Sequence, residues 1–273
     1  MSHRPIWNTD PFDFNALYAG HCFTLRQLRS SRQLVQLVLQ HWSTQFDCPP
    51  EAVHTKYSNA DILSKLSVLR ALIRQSHQIQ QEQASVAREA GFSDTFLMDS
   101  LRLRVVTPEM PNIGDAQPVF YAHRDTWYAN PIDQINFWIP LHNVSSSCTF
   151  EIYPSCFQNP ISNNSDHFDY RSFSKEVGWQ ASGPTQTHRY PKALERPAGP
   201  SLSIEGTSAT VWCFSGQHLH QTCLRPSQSR VSLDFRCCPI LSTDVPLPLN
   251  VDNRSSGSTK DDFMFIDTSN LVP

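Results

Sequence analysis

From Leu101 to Cys237 the apolar runs are short, and Pro, Gly, Asn and Ser punctuate them. Leu101-Arg-Leu-Arg-Val-Val106 alternates with period two, and 118–121, 134–142, 149–153, 201–204, 210–214, 219–223 and 230–237 are further strand candidates. A half-buried strand needs that alternation, and strands this short gain stability only by pairing into a larger sheet. The pattern predicts an antiparallel sandwich or barrel. The interval 155–200 fits neither the strand nor the helix period and is loaded with Asn, Ser and Pro. A segment of that kind leaving a sheet is read as a lid over a site, with a plain surface excursion as the alternative.

The first hundred residues follow a different pattern. Residues 1–20 read as an arm lying on the surface. Between Thr24 and Phe46, Leu25, Leu28, Val35, Leu39 and Trp42 recur at helical steps until Pro49-Pro50 forces a stop. A second helix is predicted from a Ser58 or Asn59 cap through Ile62, Leu66, Leu69 and Ile73, with Gly91 as the cap at its far limit. Both are expected to back a sheet; a partner-binding helical hairpin is the alternative. The tail after Pro239 is expected to be largely flexible. The division is therefore one domain over 1–273, with helical support in 1–95, a β core in 96–240 and a tail in 241–273.

Composition narrows the partners. With 22 basic and 25 acidic side chains the formal charge is −3. No basic run is present, which argues against nucleic acid and for a small-molecule ligand. No apolar run reaches the length of a membrane span or a signal-peptide core, so a soluble, unprocessed chain is expected, with no membrane partner. Eight cysteines without a C-x-x-C pair suit a reducing cytoplasm, and Cys237-Cys238 reads as packing. The number of subunits is left open.

The chemistry centres on Tyr121-Ala-His-Arg-Asp-Thr-Trp-Tyr128. If it lies on a strand, His123 and Asp125 share a face and Arg124 turns away. Gln217-His-Leu-His220 offers a third ligand, and the residues alone leave His218 and His220 equally eligible. Two histidines and one carboxylate, with other positions open, form the ligand set of non-haem Fe(II) oxygenases. Further on, Arg230, Ser232 and Asp234 share a strand face, presenting a guanidinium beside a hydroxyl as a clamp for a carboxylate. Trp127 is a candidate pocket wall or core residue. Arg102 and Arg104 are candidates for a substrate carboxylate or an exposed strand face, and His142, His167 and His188 read as surface residues.

This order, His-x-Asp, a distal His and then Arg-x-Ser, resembles the Fe(II)- and 2-oxoglutarate-dependent dioxygenases. The stretch 101–237 is similar to their phytanoyl-CoA dioxygenase-like branch. The resemblance implies a mainly β fold with a double-stranded β-helix, or jelly-roll, core and helices packed on its larger sheet. It also implies Fe(II) held by His123, Asp125 and His220, because the family's Arg follows its iron-binding His by about ten positions. His218 then becomes a neighbouring, substrate-side or simply packed imidazole. Arg230 and Ser232 would hold 2-oxoglutarate; Gln134 and Asn136 share a strand face and are candidates to reach that co-substrate or a water beside it, or are ordinary polar strand positions. With O2 as second co-substrate, the activity implied is hydroxylation of a small metabolite, amino-acid-like or a natural-product intermediate, with desaturation or ring closure as alternatives. Asp125 argues against halogenation, since halogenating relatives carry a small residue there. The chain departs from the branch at Tyr153-Pro-Ser-Cys-Phe157, where relatives commonly carry Pro-Gly-Ser-His. The competing reading is a jelly-roll metal protein with an isomerase or binding role.

Overall fold

A computed structural model describes residues 7–8, 12–26, 28–176, 189–223, 227–240 and 246–269. In chain order the strands are β1 (Trp7–Asn8), β2 (Cys22–Leu25), β3 (Thr95–Met98), β4 (Arg102–Val106), β5 (Ile135–Pro140) and β6 (Phe150–Ile152). They continue with β7 (Leu202–Ser203), β8 (Val211–Ser215), β9 (His220–Thr222), β10 (Arg230–Pro239) and β11 (Met264–Asp267). The helices are α1 (Phe14–Tyr18), α2 (Arg29–Gln45), α3 (Val53–Lys56), α4 (Asn59–Gln75), α5 (His77–Glu89) and α6 (Tyr170–Glu176).

Ten-residue β10 organises the larger sheet. One edge of β10 pairs with β5, and the other pairs first with β4 and then with β3, all antiparallel. The full order is β1-β2-β8-β5-β10-β3-β11, with β4 beside β10. A three-stranded sheet, β7-β6-β9, is the second layer. Alternation sorts the faces of the large sheet. Phe137 and Phe235 are register partners whose rings stack at 4.7 Å, and with Val211, Leu233 and Ile139 they face the helices. Trp138, Trp212 and Phe214 point the other way and meet Phe150 and Ile152 of the small sheet. The space between the sheets thus has apolar walls, and Arg230, Ser232 and Asp234 alternate with the helix-facing residues of β10.

The helices form where their apolar stripes are. Leu34, Val35, Val38 and Trp42 bury one side of α2, and Glu89 of α5 accepts the Ser30 amide near its start at 3.2 Å. The strand β2 takes residues expected to open that helix, because Phe23 and Leu25 gain register partners in β8. The second helix is interrupted. Ser76 is extended and its hydroxyl accepts the Ile79 amide, so it ends α4 and caps α5. Gly91, at φ +115°, closes α5 as expected.

Two other expectations change. Pro118-Val-Phe-Tyr121 is no strand: Gly114–Phe120 is a 3-10 helix, since Pro118 has no amide to give a ladder. The tail is also not flexible over 246–269. There β11 pairs with β3, Thr259 donates to Asn130 at 2.9 Å, and the Asp252 side chain is only 5 % exposed. Polar contacts anchor the tail, so hydrophobic periodicity carried no sign of it. Within 155–200, residues 177–188 lie outside the described residues. The rest carries α6 and two single bridges, Asn163 to Ala193 and Asp169 to Ser256. All eight cysteines are free. No helix among the described residues is long and apolar enough to cross a membrane.

Candidate metal centre

His123 and His220 are held by backbone before their side chains do anything. Each amide donates to the other's carbonyl, at 3.0 and 2.9 Å, in a single antiparallel bridge. Asp125 then leaves the strand direction and begins a 3-10 turn, its amide donating to Gly216 at 2.9 Å. The turn, rather than a common strand face, brings the carboxylate beside the imidazole. The ligand atoms of His123, Asp125 and His220 all lie within 4.8 Å of one another.

The hydrogen bonds select which atoms face inward. Nδ1 of His123 donates to the Tyr121 carbonyl at 2.8 Å, and Nδ1 of His220 to the His218 carbonyl at 3.0 Å. This leaves both Nε2 lone pairs free, the arrangement that backbone partners impose on metal-binding histidines. Those nitrogens lie 3.7 and 3.9 Å from Asp125 Oδ1, too far for a hydrogen bond and wide enough for an ion to span. The other oxygen, Oδ2, is taken: Asn136 donates at 2.6 Å, Gln134 at 3.0 Å, and Arg236 stands 4.0 Å away.

Electrostatics match the ligand forms a cation needs. Burial, together with neighbouring His220, lowers the His123 pKa to about 3, so the ring is neutral at physiological pH. Burial raises the Asp125 carboxyl, but Arg236, the two histidines and the Asn136 amide outweigh it and hold the group well below the usual carboxylate range. A neutral imidazole and an ionised carboxylate bind a divalent ion without first losing a proton.

Arg230 and Ser232 sit on β10, facing the space between the sheets. Arg230 is 4 % exposed, its guanidinium 5.9 Å from the Phe150 ring, and that ring lies 6.1 Å from His220. One side chain of the small sheet therefore stands beside both the clamp and the triad. Nε and Nη1 of Arg230 and Oγ of Ser232 are buried with no protein partner. Burial lowers the Arg230 pKa to about 10, which still leaves it cationic. A buried cation and hydroxyl with unused donors fit an anion that enters from outside the chain.

The remaining candidate residues are distributed around the centre. His218 sits in the turn before β9, fully buried, with Nε2 3.1 Å from the Gly20 carbonyl and 3.5 Å from Cys22 Sγ. It points away from the triad. Gln134 and Asn136 direct their amides at Asp125. Arg102 pairs with Asp99 at 2.5 Å and Arg104 with Asp234 at 2.6 Å. Trp127 is fully buried and donates to Asp252 at 2.8 Å; it is core rather than pocket wall. His142 is buried, accepting the Val231 amide at 3.1 Å, whereas His167 is exposed; His188 is outside the described residues. Sequence reading missed Arg236, although it continues the 230, 232, 234 series on β10. It also set aside Arg124, which is fully buried behind the triad.

No protein-family model and no curated protein matches this chain. Among solved structures it is similar to EvdO2 from Micromonospora carbonacea var. aurantiaca, at 10 % identity over 91 % of this chain and 95 % of that one, with a TM-score of 0.47. It is also similar to the epimerase SnoN, described in complex with Fe3+, alpha ketoglutarate and nogalamycin RO, at 12 % identity over 92 % and 98 %, with a TM-score of 0.42. A third is HygX from Streptomyces hygroscopicus with nickel and 2-oxoglutarate bound, at 10 % identity over 89 % and 94 %, with a TM-score of 0.40. Similarity at this level assigns no activity to the chain.

Proposed function

We propose that this chain is a non-haem Fe(II)- and 2-oxoglutarate-dependent oxygenase that hydroxylates a C–H bond of a small metabolite, amino-acid-like or a natural-product intermediate. In this reading the two sheets are a double-stranded β-helix of the phytanoyl-CoA dioxygenase-like kind, and 1–273 act as one domain. The observation that carries the proposal is the unpartnered Arg230 and Ser232 pair, buried across the Phe150 ring from His220. A metal protein with no use for a dicarboxylate gains nothing from burying an unpaired cation there, and burial has a cost.

An Fe(II) ion bound there with 2-oxoglutarate and O2 would supply an oxidation in which the keto acid becomes succinate and CO2, one oxygen atom of O2 going to succinate and the other to the substrate carbon. The chain's own residues bind and orient. His123, Asp125 and His220 are the residues that would hold the ion. Asn136, Gln134 and Arg236 keep Oδ2 of Asp125 turned away, so that Oδ1 serves as the ligand. Arg230 and Ser232 bind the far carboxylate of 2-oxoglutarate, and Trp138, Phe150 and Phe214 keep water from the space around it. From the described part of 155–200, the Ala193 amide donates to the Ala122 carbonyl at 2.8 Å, next to His123, which supports reading that segment as a lid.

Anaerobic addition of Fe(II) and then 2-oxoglutarate tests the proposal. A weak visible charge-transfer band, with succinate formed once air is admitted, is expected. Metal binding with neither band nor succinate would favour the non-oxidative jelly-roll reading.

A further inference from the structure

Arg124, the residue between the two ligands of the His-x-Asp motif, is fully buried on the side of the backbone away from the triad. Its guanidinium donates in four directions. Nη1 meets the Gln217 carbonyl at 2.5 Å, in the turn that leads to His220. Nη2 meets the carbonyls of Cys156 and Asn159 at 2.6 and 2.9 Å. Nε meets the Asp252 carboxylate at 3.1 Å, across 128 residues of sequence. Asp252 is also saturated: it accepts from Trp127 Nε1 at 2.8 Å and from the Ile161 amide at 3.0 Å, and its backbone carbonyl accepts from Asn163 at 3.1 Å.

We propose that Asp252 is a positioning residue for the metal triad, clasping the C-terminal segment to Arg124 and so holding the two ligand-bearing segments in register. The physical reason lies in what carries the ligands. His220 is fixed by the β9–β6 ladder, but His123 joins it through a single bridge and Asp125 lies on a 3-10 turn, so few backbone bonds hold the His123–Asp125 segment against the His220 strand. Arg124 ties that turn to the Gln217 turn, and its charge tolerates full burial only because a carboxylate faces it. Without Asp252 the cation must seek water, and movement of Arg124 carries His123 and Asp125 with it. The inference rests on the metal reading above, because it assigns Asp252 a duty toward that site. The C-terminal segment becomes part of the metal centre although it supplies no ligand.

Cobalt(II) titration of the full chain by calorimetry, with the visible cobalt spectrum recorded alongside, tests the clasp. Asp252→Asn keeps the shape and removes the charge. It is expected to bind cobalt at least about 10-fold more weakly, the usual effect of losing a group that orients metal ligands, and to change the cobalt spectrum. If that variant does not fold, Arg124→Met with Asp252→Asn leaves no buried charge, and weak cobalt binding is again expected. Native cobalt affinity and an unchanged spectrum in whichever variant folds overturn the clasp alone. Absence of cobalt binding by the native chain overturns the metal reading and the clasp with it.

Discussion

The Asn136 side-chain amide donates to Oδ2 of Asp125 at 2.6 Å, and this bond decides which carboxylate oxygen faces the two imidazoles. Gln134 supports it at 3.0 Å and itself donates to Asn136 Oδ1 at 2.9 Å. Asn136→Ala should therefore weaken metal binding by about 10-fold or more, the magnitude found for groups that orient ligands. Titration with Co(II) or Fe(II) under nitrogen measures it; a native dissociation constant would mean that Asp125 keeps its orientation without the amide.

His218 and His220 separate by different measurements. His220→Ala removes a ligand, and metal content after dialysis should fall to background with little loss of stability. His218→Ala keeps the triad but removes a buried ring whose single N–H can donate to the Gly20 or the Ser215 carbonyl, 3.1 and 3.2 Å from its nitrogens. It should bind metal normally while losing about 2 kcal/mol in urea unfolding. The opposite assignment of these two outcomes would make His218 the ligand.

Arg230→Met should act oppositely on stability and function. The native side chain is a buried cation with unused donors, so an apolar replacement of similar length should raise the stability of the chain by about 1 kcal/mol or more in the absence of ligand. The 2-oxoglutarate needed for half-maximal succinate formation should rise at least about 10-fold, since a charge-assisted pairing is lost. Added 2-oxoglutarate should raise the melting temperature of the native metal-loaded protein and not that of the variant. A variant that melts lower and still responds to 2-oxoglutarate would place the clamp elsewhere.

Acid should destabilise the metal-free chain in a way that histidines dominate. Burial lowers the pKa of His123 to about 3 and of His218 to about 4, and it lowers that of His142 as well, against 6.5 unperturbed. His123 and His218 stay neutral in the fold while the unfolded chain takes up a proton, and His142 is shifted in the same direction, so the stability they contribute is fully present above about pH 6.5 and is lost as pH falls below it. The slope approaches about 1.4 kcal/mol per pH unit for each histidine held neutral. His142→Gln removes one titrating ring and keeps an acceptor near the Val231 amide. Urea midpoints between pH 4.5 and 7.5 should fall less steeply in this variant, and parallel curves would mean that His142 protonates freely in the fold.

Much of the core was legible because it repeats. Trp138 and Phe137, or Leu233 and Ser232, differ in fate by one position, and alternation along a strand sorts them without knowledge of the partner strand. The triad was legible for another reason: metal chemistry admits few side chains, so His123, Asp125 and a distal histidine stood out against their surroundings. Their geometry was less accessible. Strand alternation placed His123 and Asp125 on one face, whereas a bridge followed by a 3-10 turn brings them together. The break at Ser76 shows the same limit, because a serine inside a Gln-rich helical stretch caps only where the chain turns.

By itself the sequence determined the residue types of the site and the alternation that separates the helix-facing side of the large sheet from its inner side, since both are set by local chemistry and the two-residue period of a strand. The tertiary structure decided which atoms do what. It placed His220 rather than His218 beside Asp125, turned the Gln134 and Asn136 amides onto the carboxylate, paired Arg102 and Arg104 with acids, and buried Arg124 against Asp252. Each of those outcomes depends on a partner far along the chain, and a polar side chain carries no periodic signal naming the group it will meet once the backbone has brought the two together.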